Sequence, residues 1–208
     1  CSVPFFFQFS NFKKIHLLHH RYANNEDLDP DSWAGSGPVV LLPLRWATVF
    51  YYYTHYIITQ SQVDWKSWET GLYNFLVVSV IKLTTVWFFG GDFFVCWVGP
   101  FLFGSAVLMY LFDYLPHRPH TVPHKTDPYA ATSVTSFLYD GFLTYGMLSQ
   151  NMHNIHHLFP YLPFYKYDTI WKKYGKELVR RGTRVLPVFL WRGREKYFEE
   201  LNVKSKKH

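Results

Sequence analysis

Apolar positions along this chain gather into long uninterrupted runs, where a water-soluble domain would interleave them with polar positions. Two of the runs, Leu72 to Phe89 and Phe93 to Leu115, have the length of a membrane-crossing helix, roughly 17 to 25 residues, although Lys82 sits inside the first. Gly90 to Asp92, the sequence GGD, separates them and is long enough only for a tight turn, so the pair is predicted to form a transmembrane helical hairpin. A third apolar stretch, Pro38 to Ile58, carries an internal proline, Arg45, His55 and a run of tyrosines. Side chains of that kind settle at the headgroup level, and the stretch is predicted to lie along the interface instead of crossing it. After the hairpin the chain turns polar and proline-punctuated in PHRPHTVPHKTDPYAATS. Further on, DTIWKKYGKELVRRG places Ile170, Trp171, Tyr174, Leu178 and Val179 at the spacing of an amphipathic helix with a basic face. No period-two alternation runs long enough to build a sheet, so the expected fold is all-α.

Composition sharpens that picture. Hydrophobic residues make up 49% of the 208 positions, aromatics 21% and charged residues 17%. A soluble domain usually carries about a quarter charged residues. Net charge is +6, and residues 166 to 208 hold thirteen Lys or Arg against five acids, which leaves the rest of the chain slightly negative. A basic tail beside apolar spans marks the cytoplasmic side, next to anionic lipid, whereas nucleic-acid binding lacks any accompanying motif. The two cysteines, Cys1 and Cys96, are too few for a disulfide framework or a thiolate metal site. The chain opens at Cys1 without an initiator methionine or a signal-peptide pattern, and it reads as the C-terminal part of one longer domain, truncated at its N-terminus.

Of the 11 histidines, six fall in two copies of one pattern, H-x-x-H-H, at His16, His19 and His20 and at His153, His156 and His157. On a helix, positions i, i+3 and i+4 lie within an arc of about 100 degrees, so each box presents three imidazoles in one direction. Imidazole suits several transition metals. Six or more such ligands exceed the three usual at a catalytic zinc, and neither box carries the glutamate of H-E-x-x-H, so two metal ions are expected. A shared site requires both boxes on one face of the membrane, and a hairpin of two spans between them satisfies that parity. His117 ends the second apolar run in FDYLPHRPH, with Asp113 four residues earlier. His117 is expected as a ligand, and Asp113 as a ligand or as the partner of one. His120 and His124 follow in a loop, where a solvated or supporting place is expected. His55 belongs to the interface and His208 to the tail. Asp27, Asp29, Asp31 and Asp127 could accept the ring proton of a ligating imidazole, although Asp-Pro-Asp is also ordinary turn chemistry.

HLLHH with DPD downstream, then FDYLPHRP, then QNMHNIHHLFPYLPFY resemble the membrane fatty-acid desaturase and hydroxylase superfamily over Lys13 to Tyr167. Within it the motifs look closest to beta-carotene hydroxylases and hydrocarbon-oxygenase-like desaturases. The resemblance implies an integral membrane fold, a helical hairpin with interfacial helices and a cytoplasmic histidine-box cap. It also implies two iron ions held by His16, His19, His20, His117, His153, His156 and His157, with Asp113, His120, Asp31 and Asp127 as possible further or supporting groups. No catalytic residue beyond the metal centre is implied. The family's first box, H-x-x-x-H, does not appear, and a centre short of those ligands is expected to be inactive until upstream sequence supplies them.

Dioxygen is then the co-substrate, and the expected reaction is desaturation or hydroxylation of a lipid acyl chain, with a carotenoid ring as the alternative substrate. Since no haem, flavin, nicotinamide or iron–sulfur motif is present, electrons must come from a separate carrier, a cytochrome b-type protein or a ferredoxin. A non-catalytic metal-binding or transport protein is the competing class. Transport predicts ionisable residues along the spans, where the sequence offers little besides Lys82.

Overall fold

The computed structural model describes residues 9–59, 65–136 and 144–187. The expectations for Cys1 to Gln8 and for the distal basic tail from 188 onward, His208 included, lie outside them. The described chain is mostly helical: α1 (Phe9–Tyr22), α2 (Ser32–Gly35), α3 (Leu42–Ala47), α4 (Val49–Thr59), α5 (Trp65–Phe89), α6 (Gly99–Met109), α7 (Leu115–His117), α8 (His153–Leu158) and α9 (Tyr167–Arg181). It divides into two compact units, one of residues up to His19 together with Pro30–Tyr110, the other of His20–Asp29 and everything from Leu111. The chain passes from one unit to the other within α1, between His19 and His20.

In the first unit Ile15, Ala34, Val49, Tyr53 and Met109 form the buried core, with Trp46, Phe50, Tyr52 and Ile57 packed against it. Polar ends of the large rings are tied down, as burial demands. The indole of Trp46 donates to the Ala34 carbonyl at 2.9 Å, and the Arg45 guanidinium lies 4.2 Å over Trp33 while donating to the Ser36 carbonyl at 2.6 Å. The stretch predicted to lie along the interface is divided into Val39–Leu41, α3 and α4. At about 1.5 Å of rise per residue, none of the three reaches across a bilayer core of about 30 Å.

Helix α5 ends at Phe89, where Gly90 takes φ +53 and the turn closes through Phe93 N–H to the Gly90 carbonyl at 3.3 Å. Beyond it Val95–His117 is, among the described residues, the one helix long and apolar enough to cross a membrane. Before the turn, the described apolar helix segment is Ser79–Phe89, which is shorter. Leu72, Leu76, Val80, Leu83 and Trp87 on α5 and Phe103, Val107 and Leu108 after the turn are all exposed. Apolar surface of that extent in water would be a liability; in lipid it carries no cost. Two π turns, Phe94–Val98 and Tyr110–Tyr114, interrupt the second helix. Each ends two residues before a proline, Pro100 and Pro116, whose missing N–H cannot continue the regular ladder.

Among the described residues, the second unit contains the one departure from the all-α expectation. Ser133–Ser136 and Arg184–Pro187 pair as parallel strands, β1 and β2, in register Val134 to Val185 and Thr135 to Leu186. Four residues are too few to show an alternation, and the partners are some fifty positions apart, so no local pattern announces them. Val134, Met152, Ile155, Tyr167 and Leu178 make the core beneath this pair. Within α9 Gly175 leaves room for the Trp171 ring of the preceding turn; a Cβ at Gly175 would sit 3.1 Å from that ring. The helix stops at Gly182, φ +124, where the N–H groups of Gly182 and Thr183 return to the carbonyls of Val179 and Leu178.

Ile155, fully buried between the histidines of α8, tests this packing. Ile155→Ala is expected to cost about 2 to 5 kcal/mol through the cavity it leaves. Thermal unfolding in detergent should read that loss as a fall of several degrees, and an unchanged midpoint would show that the core lies elsewhere.

Candidate metal centre

Five of the predicted ligands converge in the second unit. His20 comes from the end of α1, His117 from α7 at the end of the long apolar helix, and His153, His156 and His157 from α8. The Nε2 atoms of His20 and His156 are 3.0 Å apart. His153 Nε2 lies 3.1 Å from His117 Nε2 and 3.1 Å from His157 Nε2. The rings of His20 and His157 stack at 4.2 Å between centroids. His117, His153 and His157 are buried, while His20 and His156 are half-buried.

Protonation makes this arrangement informative. An imidazole nitrogen carries either one proton or one lone pair in its plane. His153 Nε2 therefore cannot make a good hydrogen bond to both neighbours that stand at 3.1 Å. A cation resolves the conflict, because it accepts every converging lone pair at once. Nitrogens about 2.1 Å from one cation and at right angles to each other are about 3.0 Å apart, which is the spacing seen here. Judged by donor chemistry, these residues fit a histidine-bound transition metal.

The supporting groups set which nitrogen faces inward. Asn24, buried just after α1, accepts at Oδ1 from His117 Nδ1 at 3.2 Å. His156 Nδ1 meets the hydroxyl of Tyr167 at 3.0 Å, and burial raises that phenol above its ordinary value, which keeps it protonated near neutrality. Neither Asn24 nor Tyr167 was identified in the sequence. The only local sign for Asn24 is an Asn-Asn pair directly after a helix, where Asn tolerates the left-handed backbone that it adopts here, φ +64.

The remaining members of the first box lie in the first unit. His19 is buried, and its Nδ1 is 3.3 Å from Asp31 Oδ2, with the Tyr53 hydroxyl donating to the other carboxylate oxygen. A carboxylate accepts only, so His19 holds its proton on Nδ1 and leaves the lone pair on Nε2. His16 is half-buried beside it, its ring 6.1 Å from that of His19.

Asp113 is buried within the π turn, but it stands in no cluster of convergent ligand atoms among the described residues. The shared face with His117 assumed regular α geometry, and a π turn alters that phase. His120, in the left-handed region at φ 62, stacks on His117 at 6.2 Å and is likewise outside those clusters. Asp127 uses Oδ1 to accept the N–H groups of Tyr129 and Ala130, so it shapes a turn. Asp29 accepts the backbone N–H of Asn24 at 2.8 Å, and Asp27 is exposed. His124 is half-buried, its ring 5.9 Å from that of His157, and His55 is exposed on α4.

Asp31→Ala should weaken metal binding by about 10- to 100-fold, because His19 loses the group that selects its tautomer. A metal titration of the purified protein checks this, and an unchanged affinity would make Asp31 a packing residue only.

Comparison with known proteins gives one family. A family model described as fatty acid desaturase matches residues 1–188. No curated protein and no solved structure matches the chain.

Proposed function

Because the chain belongs to the fatty acid desaturase family, a membrane-associated family of oxidoreductases, we propose that it is a dioxygen-dependent enzyme that desaturates or hydroxylates a lipid acyl chain. The observation that carries this reading is the close approach of imidazole Nε2 atoms, His20 to His156 at 3.0 Å and His153 to both His117 and His157 at 3.1 Å. These five would hold iron together with His16 and His19, which share the helix of His20 and its i, i+3, i+4 spacing. Seven imidazoles are more than one ion takes, hence two. Two bound iron ions would supply the power to activate dioxygen and take hydrogen from an unactivated carbon.

The residues of the chain do the rest. Asp31 and Asn24 hold protons on the Nδ1 atoms of His19 and His117, so that both present lone pairs at Nε2. The exposed apolar surfaces of α5 and of the helix Val95–His117 offer an acyl chain a route that never leaves the bilayer. Electrons are supplied by an external carrier, a cytochrome b-type protein or a ferredoxin. The histidine boxes and the basic tail belong on the cytoplasmic side, since the tail concentrates positive charge.

Full-length protein purified under reducing conditions should contain close to two equivalents of iron, and one zinc with no iron would overturn the proposal. Expression in a host offering both acyl chains and carotenoids, followed by chromatography of the extracted lipids and pigments, reads the substrate. New unsaturated or hydroxylated acyl chains are expected; hydroxylated carotenoids alone would move the substrate to a ring. Single cysteines engineered near His20 and near His153 should react with a membrane-impermeant reagent from the same side, and labelling from opposite sides would exclude a shared centre.

A further inference from the structure

We infer that Asn24 is a positioning residue for the metal centre: its side-chain oxygen fixes the tautomer of His117 and thereby sets metal affinity. The inference rests on the metal-centre reading above and adds to it a residue that belongs to neither histidine box.

Asn24 is buried and makes four identifiable hydrogen bonds. Its Nδ2 lies 2.8 Å from the Val122 carbonyl and 2.7 Å from the Ala131 carbonyl. Carbonyls only accept, so the end of the amide that faces them must be the NH2 group, with one proton for each. The orientation of the amide is therefore settled by its partners, and Oδ1 is the end that faces His117 Nδ1 at 3.2 Å. An amide oxygen has no proton to give. His117 must donate, its proton sits on Nδ1, and its neutral ring presents a lone pair at Nε2, the atom that meets His153 Nε2 at 3.1 Å.

The backbone explains why this task falls to asparagine. Residue 24 sits in the left-handed region at φ 64, where Asn and Gly are the usual residues, and its N–H is held by the Asp29 carboxylate at 2.8 Å. Glycine would satisfy the backbone but offer no acceptor. Aspartate would offer the acceptor but no donors for the two carbonyls. Asn24 meets both requirements. It does for His117 what Asp31 does for His19, with a neutral oxygen in place of a carboxylate, so that no further negative charge is added.

Cobalt(II), titrated into metal-free full-length protein and followed by its visible absorption, tests the inference. Asn24→Gly should weaken cobalt binding by about 10- to 100-fold and change the absorption of what does bind. In a His117→Ala background the same substitution should cost nothing further, because its effect passes through His117. An equal loss in both backgrounds would assign Asn24 a merely structural role and overturn the inference. Asn24→Asp separates the two duties: affinity should remain within a few-fold of the unaltered protein while the unfolding temperature falls. If Asn24→Gly does not fold, that variant decides, and a loss of affinity as large as that caused by His117→Ala would overturn the inference. Undiminished binding by Asn24→Gly overturns it alone, whereas no cobalt binding by the unaltered protein overturns the metal-centre reading as well.

Discussion

His153→Ala is expected to reduce product formation to background and to strip the centre of most of its metal, while the protein still inserts into membrane. His153 is the middle of the histidine chain, with its Nε2 3.1 Å from those of both His117 and His157. Its removal takes away a nitrogen that stands next to two others. A ligand set missing its shared neighbour binds the cation weakly or in the wrong geometry, and redox chemistry at the site fails with it. His156→Ala should behave similarly, since it removes the partner of His20 at 3.0 Å and the group that Tyr167 orients. If these were packing histidines, each substitution would instead lower stability by about 1 kcal/mol and leave activity per folded molecule largely intact. His55→Ala, exposed on α4, serves as the control and should change neither quantity. Product per mole of membrane-inserted protein, with metal content on the same preparations, distinguishes the cases. Undiminished product from His153→Ala would remove the metal-centre reading altogether.

The largest expected loss of stability lies at Asn154, between the ligands of the second box. Its side chain is fully buried and ties three segments together. Nδ2 donates to the Tyr129 carbonyl at 3.1 Å and to Thr132 Oγ1 at 3.1 Å, and Oδ1 accepts from the Thr183 hydroxyl at 2.8 Å. Thr132 leads into β1 and Thr183 into β2, so Asn154 fastens α8 to the strand pair. Alanine would strand the half-buried Tyr129 carbonyl and the buried hydroxyls of Thr132 and Thr183, and a buried polar group without a partner costs about 1 to 3 kcal/mol. Asn154→Ala is accordingly expected to destabilise the protein by about 3 kcal/mol or more, seen as a large fall in unfolding temperature. Metal binding should weaken only as far as α8 loses its place. A change within experimental error would show that water or a neighbouring group replaces the amide without loss.

Much of the centre was legible because its information is local. The spacing of His16, His19 and His20, and of His153, His156 and His157, needs only helical geometry to become two three-imidazole faces. The apolar run that became the helix Val95–His117 is likewise readable, since length and hydropathy belong to one segment. The same locality limits what reading along the chain can assign. Asp113 and His117 four residues apart imply one face only if the turn between them is regular, and a π turn and Pro116 intervene in ways that spacing does not reveal.

What the sequence by itself determined, then, is the kind of donor and its presentation: imidazoles in triplets, aspartates close by, apolar helices and a basic end. Tertiary structure decided which groups support them. His117 could have met any of several acceptors, and it is Asn24, 93 residues away along the chain, that accepts its hydrogen bond. His20 finds His156 across 136 residues, and β1 finds β2 with no alternation in either strand to announce the pairing. Periodicity records how a segment is shaped, whereas a hydrogen bond between distant segments depends on where packing brings their ends, and single-residue polar partners leave no repeat from which to read it.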